Sequence, residues 1–228
     1  MRRQLKALLR GDEDEMMSLL SEPGLRWAVF CSLAILLGTG IYGGTIGLWR
    51  APLQSLYTAL KFPLLIFLTC AGNALLNGML AQLHGSGLSF RQTSLAILTS
   101  FAITAAVLGA LSPVSFFILY NTPPLRSSTA LMGHSLTLLS HVCLIACAGI
   151  IANRRLFRLL TRASGERRTA RTILWSWLGG NFLLGSQLAW ILRPFIGSPG
   201  LAVEFLRPDP LRGNFYEAVG RAFQHLFF

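Results

Sequence analysis

The chain has 228 residues, 53% of them hydrophobic and only 13% charged, with a formal net charge of +11. A soluble domain of this length has about a quarter of its residues charged, so the composition excludes an ordinary soluble globular domain. The basic residues cluster between long apolar runs, which argues against nucleic acid as a partner and for anionic lipid headgroups.

The first ten residues, MRRQLKALLR, have the pattern of a short basic amphipathic helix lying on a membrane surface. Gly11 and the acidic run Asp12, Glu13, Asp14 and Glu15 end it. No small-residue cleavage site follows at signal-peptide distance, so residues 1–26 are expected to be an uncleaved amphipathic segment. Residues 27–49 carry no charge, have Trp27 and Trp49 at their ends as interfacial anchors, and are long enough to cross a bilayer. Gly38, Gly40 and Gly43 match a dinucleotide-binding fingerprint, but the match lies inside an apolar span without the strand that motif requires. The pairs Gly40/Gly44 and Gly43/Gly47 instead read as small-residue faces for close helix packing.

Residues 52–61 place Leu53, Leu56, Tyr57 and Leu60 opposite Gln54, Ser55, Thr58 and Lys61. This predicts a short interfacial helix, bent at Pro63 into a second span over 62–83, with Lys61 reaching the headgroups. A loop turning at Gly85 and Gly87 leads to a third span over 94–120, kinked at Pro113, with Ala102, Ala106 and Ala110 forming a seam. A fourth span covers 131–152 and continues as an amphipathic helix with Arg154, Arg155, Arg158 and Arg162 on one side. A fifth span covers 172–192. In the tail, 193–228, Asn214 with Glu217 three residues on predicts a capped final helix whose apolar stripe is Phe215, Val219, Phe223 and Leu226.

The arginine-rich stretch 153–171 lies between two spans and sets the orientation. With the amino terminus inside, thirteen Lys and Arg residues fall on the inner side and seven on the outer side. The fold expected is therefore an all-α polytopic transmembrane bundle of five spans, amino terminus inside and carboxyl terminus outside, with interfacial amphipathic helices.

Chemistry is sparse. The spans contain no Asp or Glu, and the chain has no nucleophile elbow, metalloprotease helix or phosphate-binding loop. No cysteine or histidine spacing suggests a metal site, and His134 and His141 share one helix, which does not suit a haem. No catalytic residue, cofactor or metal is expected. The neutral polar residues Thr39, Asn73, Thr104, His141 and Asn181, counted from the span ends, fall near one depth, and Asn77 extends the set. They form either interhelical hydrogen bonds or a midplane polar pocket. Arg50 and Arg193, each beside a tryptophan and a proline, are candidates for contact with an anionic lipid or a partner, as are Arg154, Arg155, Arg158 and Arg162.

The stretches WRAPLQSLYTALKFPLLIFLT, GNALLNGM and GSQLAWILRPFIGSPG resemble a family of bacterial five-span membrane proteins. That resemblance implies a bacterial inner-membrane location and brings no activity. The layout is also similar, in topology and not in motifs, to Yip-type membrane proteins. The function expected is a non-enzymatic membrane protein that scaffolds or organises a complex, through other membrane proteins or self-association. The alternative is a small transporter or channel subunit with a midplane polar site.

Overall fold

The computed structural model describes residues 2–10, 13–21, 24–83 and 88–227. The expected turn at Gly85 and Gly87 lies outside them. Every regular element among the described residues is a helix: α1 (Arg2–Arg10), α2 (Glu13–Ser21), α3 (Leu25–Leu48), α4 (Pro52–Leu83), α5 (Phe90–Ala110), α6 (Ser112–Asn121), α7 (Ala130–Ser164), α8 (Arg167–Ile191) and α9 (Phe215–Phe227). This matches the all-α reading. Four of these helices are long and apolar enough to cross a membrane: α3, α4 as far as Met79, α5 and α7. The 25-residue α8 is less apolar, because it includes Arg167, Arg168, Arg171, Asn181 and Gln187.

Helix α3 buries Trp27, Cys31, Ile35, Thr39, Tyr42 and Ile46, a stripe at steps of three and four residues. Its second half meets α4 backbone to backbone. A Cβ on Gly43 would lie 2.7 Å from the Thr58 carbonyl oxygen, and one on Gly47 would lie 2.5 Å from that of Gln54. Gly40 and Gly44 face α4 more loosely, with α4 atoms no nearer than 3.6 Å to an added Cβ. Close approach therefore rests on Gly43/Gly47 rather than on Gly40/Gly44. On another side of α3, Gly38 abuts the Ala105 backbone and the Gly109 Cβ position. The seam on α5 accordingly centres on Ala102 and Ala105, both fully buried, while Ala106 is half-buried and Ala110 exposed.

Three sequence expectations change here. Residues 52–61 are not a separate interfacial helix: α4 runs unbroken through Pro63, because the glycine face of α3 holds its first turns against the bundle. Lys61 does not reach outward; it is completely buried. Trp27 and Trp49 are not surface anchors either. Trp27 is buried and donates from Nε1 to Thr99 Oγ1 at 2.9 Å, and Trp49 donates to the Pro123 carbonyl at 3.1 Å. The break near Pro113 occurs as expected: α5 caps at Leu111 and α6 starts with Pro113 in its first turn, since proline offers no N–H to the preceding turn.

The core divides in two. At one end Ala7, Leu8, Met16 and Leu19 of α1 and α2 pack with Trp27, Leu95, Leu156, Leu159 and Trp177. The amino-terminal helices thus dock on the bundle. At the other end Tyr42, Ile46, Trp49, Phe62, Leu108 and Ile196 form a second cluster beneath the tail. Helices α7 and α8 pair through a tight turn at Gly165, which takes the left-handed conformation (φ 70°) that favours glycine.

Candidate functional site

Helix α4 buries a polar seam beside Phe62, Leu65 and Cys70 and exposes a row of leucines. Gln54, Thr58, Lys61, Thr69, Asn73 and Asn77 are all buried, whereas Leu53, Leu56, Leu60, Leu64, Leu68, Leu75 and Leu76 are exposed. The polar residues fall at steps of three, four and eight, forming one seam along about 34 Å of helix. An inverted helix of this kind suits a hydrocarbon solvent, in which side chains seek partners inside the protein.

At the tail end the seam grips backbone. Gln54 Nε2 donates to the carbonyls of Pro194 (2.8 Å) and Phe195 (3.1 Å), and the Thr58 hydroxyl donates to Phe195 O at 2.6 Å. Lys61 Nζ donates to Pro194 O at 2.9 Å and lies 4.8 Å from the centroid of the Phe205 ring and 5.9 Å from that of Phe195. The ammonium is held by a carbonyl dipole and two aromatic faces. At the far end Thr69 meets Gly185 of α8, and Gly180 lies under the amide oxygens of Asn73 and Asn77. Asn77 Nδ2 donates to Asn73 Oδ1 at 3.3 Å, and Asn73 donates to the Thr69 carbonyl.

The polar residues singled out in the sequence do not form one layer. Thr39 and Thr104 donate to carbonyls of their own helices, at Ile35 and Ser100. His141 Nδ1 lies 2.8 Å from the Tyr42 hydroxyl, at the level of Phe62, whose ring is 5.7 Å from that of Tyr42. Asn73 sits eleven residues farther along α4, about 16 Å away along the axis. Asn181 is half-buried, with its Oδ1 lacking a hydrogen-bond partner among the described residues. Depths counted from residue 62 are wrong because α4 begins at Pro52, so Phe62 is already well inside the bundle.

Arg50 and Arg193 are claimed by the tail. Arg50 donates to the Leu201 carbonyl at 2.9 Å. The Arg193 guanidinium donates to the carbonyls of Trp190, Asp209, Pro210 and Arg212 and stacks 4.0 Å over the Trp190 ring. Burial holds its pKa below the ordinary arginine range; Arg207 adds to the depression and Asp209 opposes it. The tail is thus folded around Arg193 and clamped onto α4. Neither the clamp residues Gln54 and Thr58 nor their partners were singled out from sequence, although their spacing with Lys61 on one face was the signal. The expected cap of α9 is present: Asn214 Oδ1 accepts from the Glu217 backbone at 2.9 Å.

Among the arginines at the opposite end, Arg154, Arg158 and Arg162 lie on the exposed side of α7, while Arg155 turns inward and donates to the Leu8 carbonyl of α1. Arg155→Ala is expected to speed amide exchange across residues 2–10 about tenfold, since a hydrogen bond from a charged donor contributes about 1.5 kcal/mol. Arg154→Ala should leave that exchange unchanged. Among the described residues no three His, Cys, Asp or Glu side chains gather to hold a metal ion. The chain matches no family model, no curated protein and no solved structure in the comparisons made.

Proposed function

We propose that the chain is a five-span, non-enzymatic integral membrane protein that organises other membrane components. In this reading its amino terminus and the α7–α8 arginines face the inner side and its tail the outer side of a bacterial inner membrane. The fifth crossing is α8. Its packing along both α4 and α7, with small residues Gly180 and Gly185 against the polar seam, supports a place inside the bundle despite its lower hydropathy. The inward count of basic residues supports the orientation.

The observation that carries the scaffold reading is the commitment of polar groups to internal structure. Gln54, Thr58, Lys61, Arg50 and Arg193 all hold the tail through its carbonyls, which supports a shaped outer rim. A scaffold needs such a shaped, preorganised surface. A small transporter or channel subunit is the second reading. It is favoured by the amide oxygens of Asn77 and Asn181, which lie buried without hydrogen-bond partners among the described residues.

Purification from native membrane in mild detergent separates the two. A scaffold is expected to bring down a stoichiometric partner or to run as a defined oligomer. A lone monomer that supports measurable solute flux in liposomes would sink the scaffold reading and favour the second.

A further inference from the structure

A cavity of about 570 Å³ opens between the first turns of α7, the last turn of α8, the tail and α9. Arg193, Arg207, Arg212 and Arg221 line it, and Asp209 is the acid among the described lining residues. Protein groups neutralise this charge only in part. Glu204 takes Arg207 Nη1 at 2.9 Å, but Arg207 Nη2 is shut off from solvent and has no hydrogen-bond partner among the described residues. Arg221 lies 3.8 Å from Glu217, with both side chains more than half exposed, so that pair contributes little.

Most of the remaining wall is apolar, with Leu131, Leu138, Trp190, Phe195 and Ile196, although His134 and Ser135 also reach it. A small inorganic anion has no use for such a wall; a molecule with a phosphate at one end and hydrocarbon at the other matches both halves. Helix α9 repeats the division. Arg221 and His225 line the cavity together with Phe215, Ala218 and Ala222, while Phe223 and Phe227 are exposed outside it, as on a helix lying in a bilayer interface.

We infer that this groove binds an anionic phospholipid of the leaflet on which it opens. Arg212 and Arg221 meet the phosphate, Arg207 adds positive charge from the wall behind them, and Leu131 and Leu138 of α7 meet the start of the acyl chains. The inference does not depend on the scaffold reading, since a transporter subunit would carry the same groove.

The test titrates the full chain in mild detergent with phosphatidylglycerol or phosphatidylcholine and counts retained lipids by native mass spectrometry. Phosphatidylglycerol is expected to be retained in preference to phosphatidylcholine. The double substitution Arg212→Gln/Arg221→Gln is expected to weaken phosphatidylglycerol about thirtyfold and leave phosphatidylcholine unchanged. Both arginines are exposed, so the variant should fold. Salt provides an independent check on the unaltered protein, because the preference should fall as sodium chloride is raised to about 0.5 M.

Equal retention of the two lipids, or a preference indifferent to both salt and the double substitution, overturns the inference. So does the same loss from Arg154→Gln/Arg158→Gln at the other end of the molecule, which would mark general charge attraction. Displacement of the lipid by millimolar inorganic phosphate, or by a polyglutamate peptide at equal charge, would assign the groove to a soluble anion or an acidic protein segment instead.

Discussion

Lys61→Glu is expected to release the tail from α4 and lower stability by about 3 kcal/mol. The ammonium is fully buried, donates to the Pro194 carbonyl at 2.9 Å and faces the Phe205 and Phe195 rings. Carbonyl oxygens and ring faces all present negative potential, so a carboxylate in that place is repelled by each of its contacting groups, and the nearby Arg207 guanidinium offsets that only in part. The hydrogen bond from a charged donor contributes about 1.5–3 kcal/mol and the aromatic contacts about 0.5–2 kcal/mol. Deuterium uptake across residues 194–207 should rise. With the exposed Cys143 and Cys147 replaced by serine, the unfolding temperature reported by a thiol-reactive dye at the buried Cys31 and Cys70 should fall.

Lys61→Met should lie much closer to the unaltered protein. It fills the same space, and exchanging a buried charge for an apolar side chain of similar volume is often neutral. If Lys61→Glu left both uptake and unfolding temperature unchanged, the clamp would have no energetic role.

The second large effect is expected where α3 meets α4. Gly43→Ala and Gly47→Ala each push a Cβ into backbone, 2.7 Å from Thr58 O and 2.5 Å from Gln54 O. Carbonyl oxygens on a helix cannot swing aside as a side chain can, so the helices must separate. Overpacking of this kind costs about 1–3 kcal/mol per site. Gly44→Ala is the internal control. Its Cβ would meet Ser55 Oγ at 3.6 Å, an ordinary contact, and alanine is the better helix former by about 0.8–1.0 kcal/mol. Thermal unfolding in detergent should therefore rank Gly44→Ala at or above the unaltered chain and the other two well below it. Equal effects at all three positions would show that the close contact is not what the glycines are for.

The two substitutions act on one feature. Gly43 and Gly47 bring the first turns of α4 against α3, and that contact aims Gln54, Thr58 and Lys61 at the tail. Widening the α3–α4 contact is accordingly expected to raise deuterium uptake in residues 194–207 as well, coupling helix packing to the rim that borders the arginine-lined cavity.

Much of the architecture was legible because its causes are local. Uncharged runs longer than twenty residues, Pro113, and the Asn214/Glu217 cap each act through neighbours in the chain, and helices appear where they indicated. The glycines of α3 were legible as packing residues, but not which pair makes the closer contact, since that depends on where α4 sits. The reading failed where a residue's partner is remote. Lys61 was assigned to headgroups because snorkelling is the usual outcome for a lysine near the end of a span; its carbonyl acceptor lies 133 residues away. Arg50 and Arg193 looked like free headgroup contacts for the same reason, and Arg155 could not be told apart from Arg154 until α1 was seen beneath it.

By itself the sequence determined the class of protein, the helical content and the uneven distribution of basic charge, because hydrophobic run length and charge placement follow from composition and order alone. Only the tertiary structure decided which polar groups are partners. In a chain that exposes so many leucines, buried polar side chains must find partners within the protein, and for Gln54, Thr58 and Lys61 those partners are backbone carbonyls brought in by folding. The tail carbonyls over Gln54, Thr58 and Lys61 carry no mark in the sequence, since every residue has a carbonyl and only packing selects which one is used.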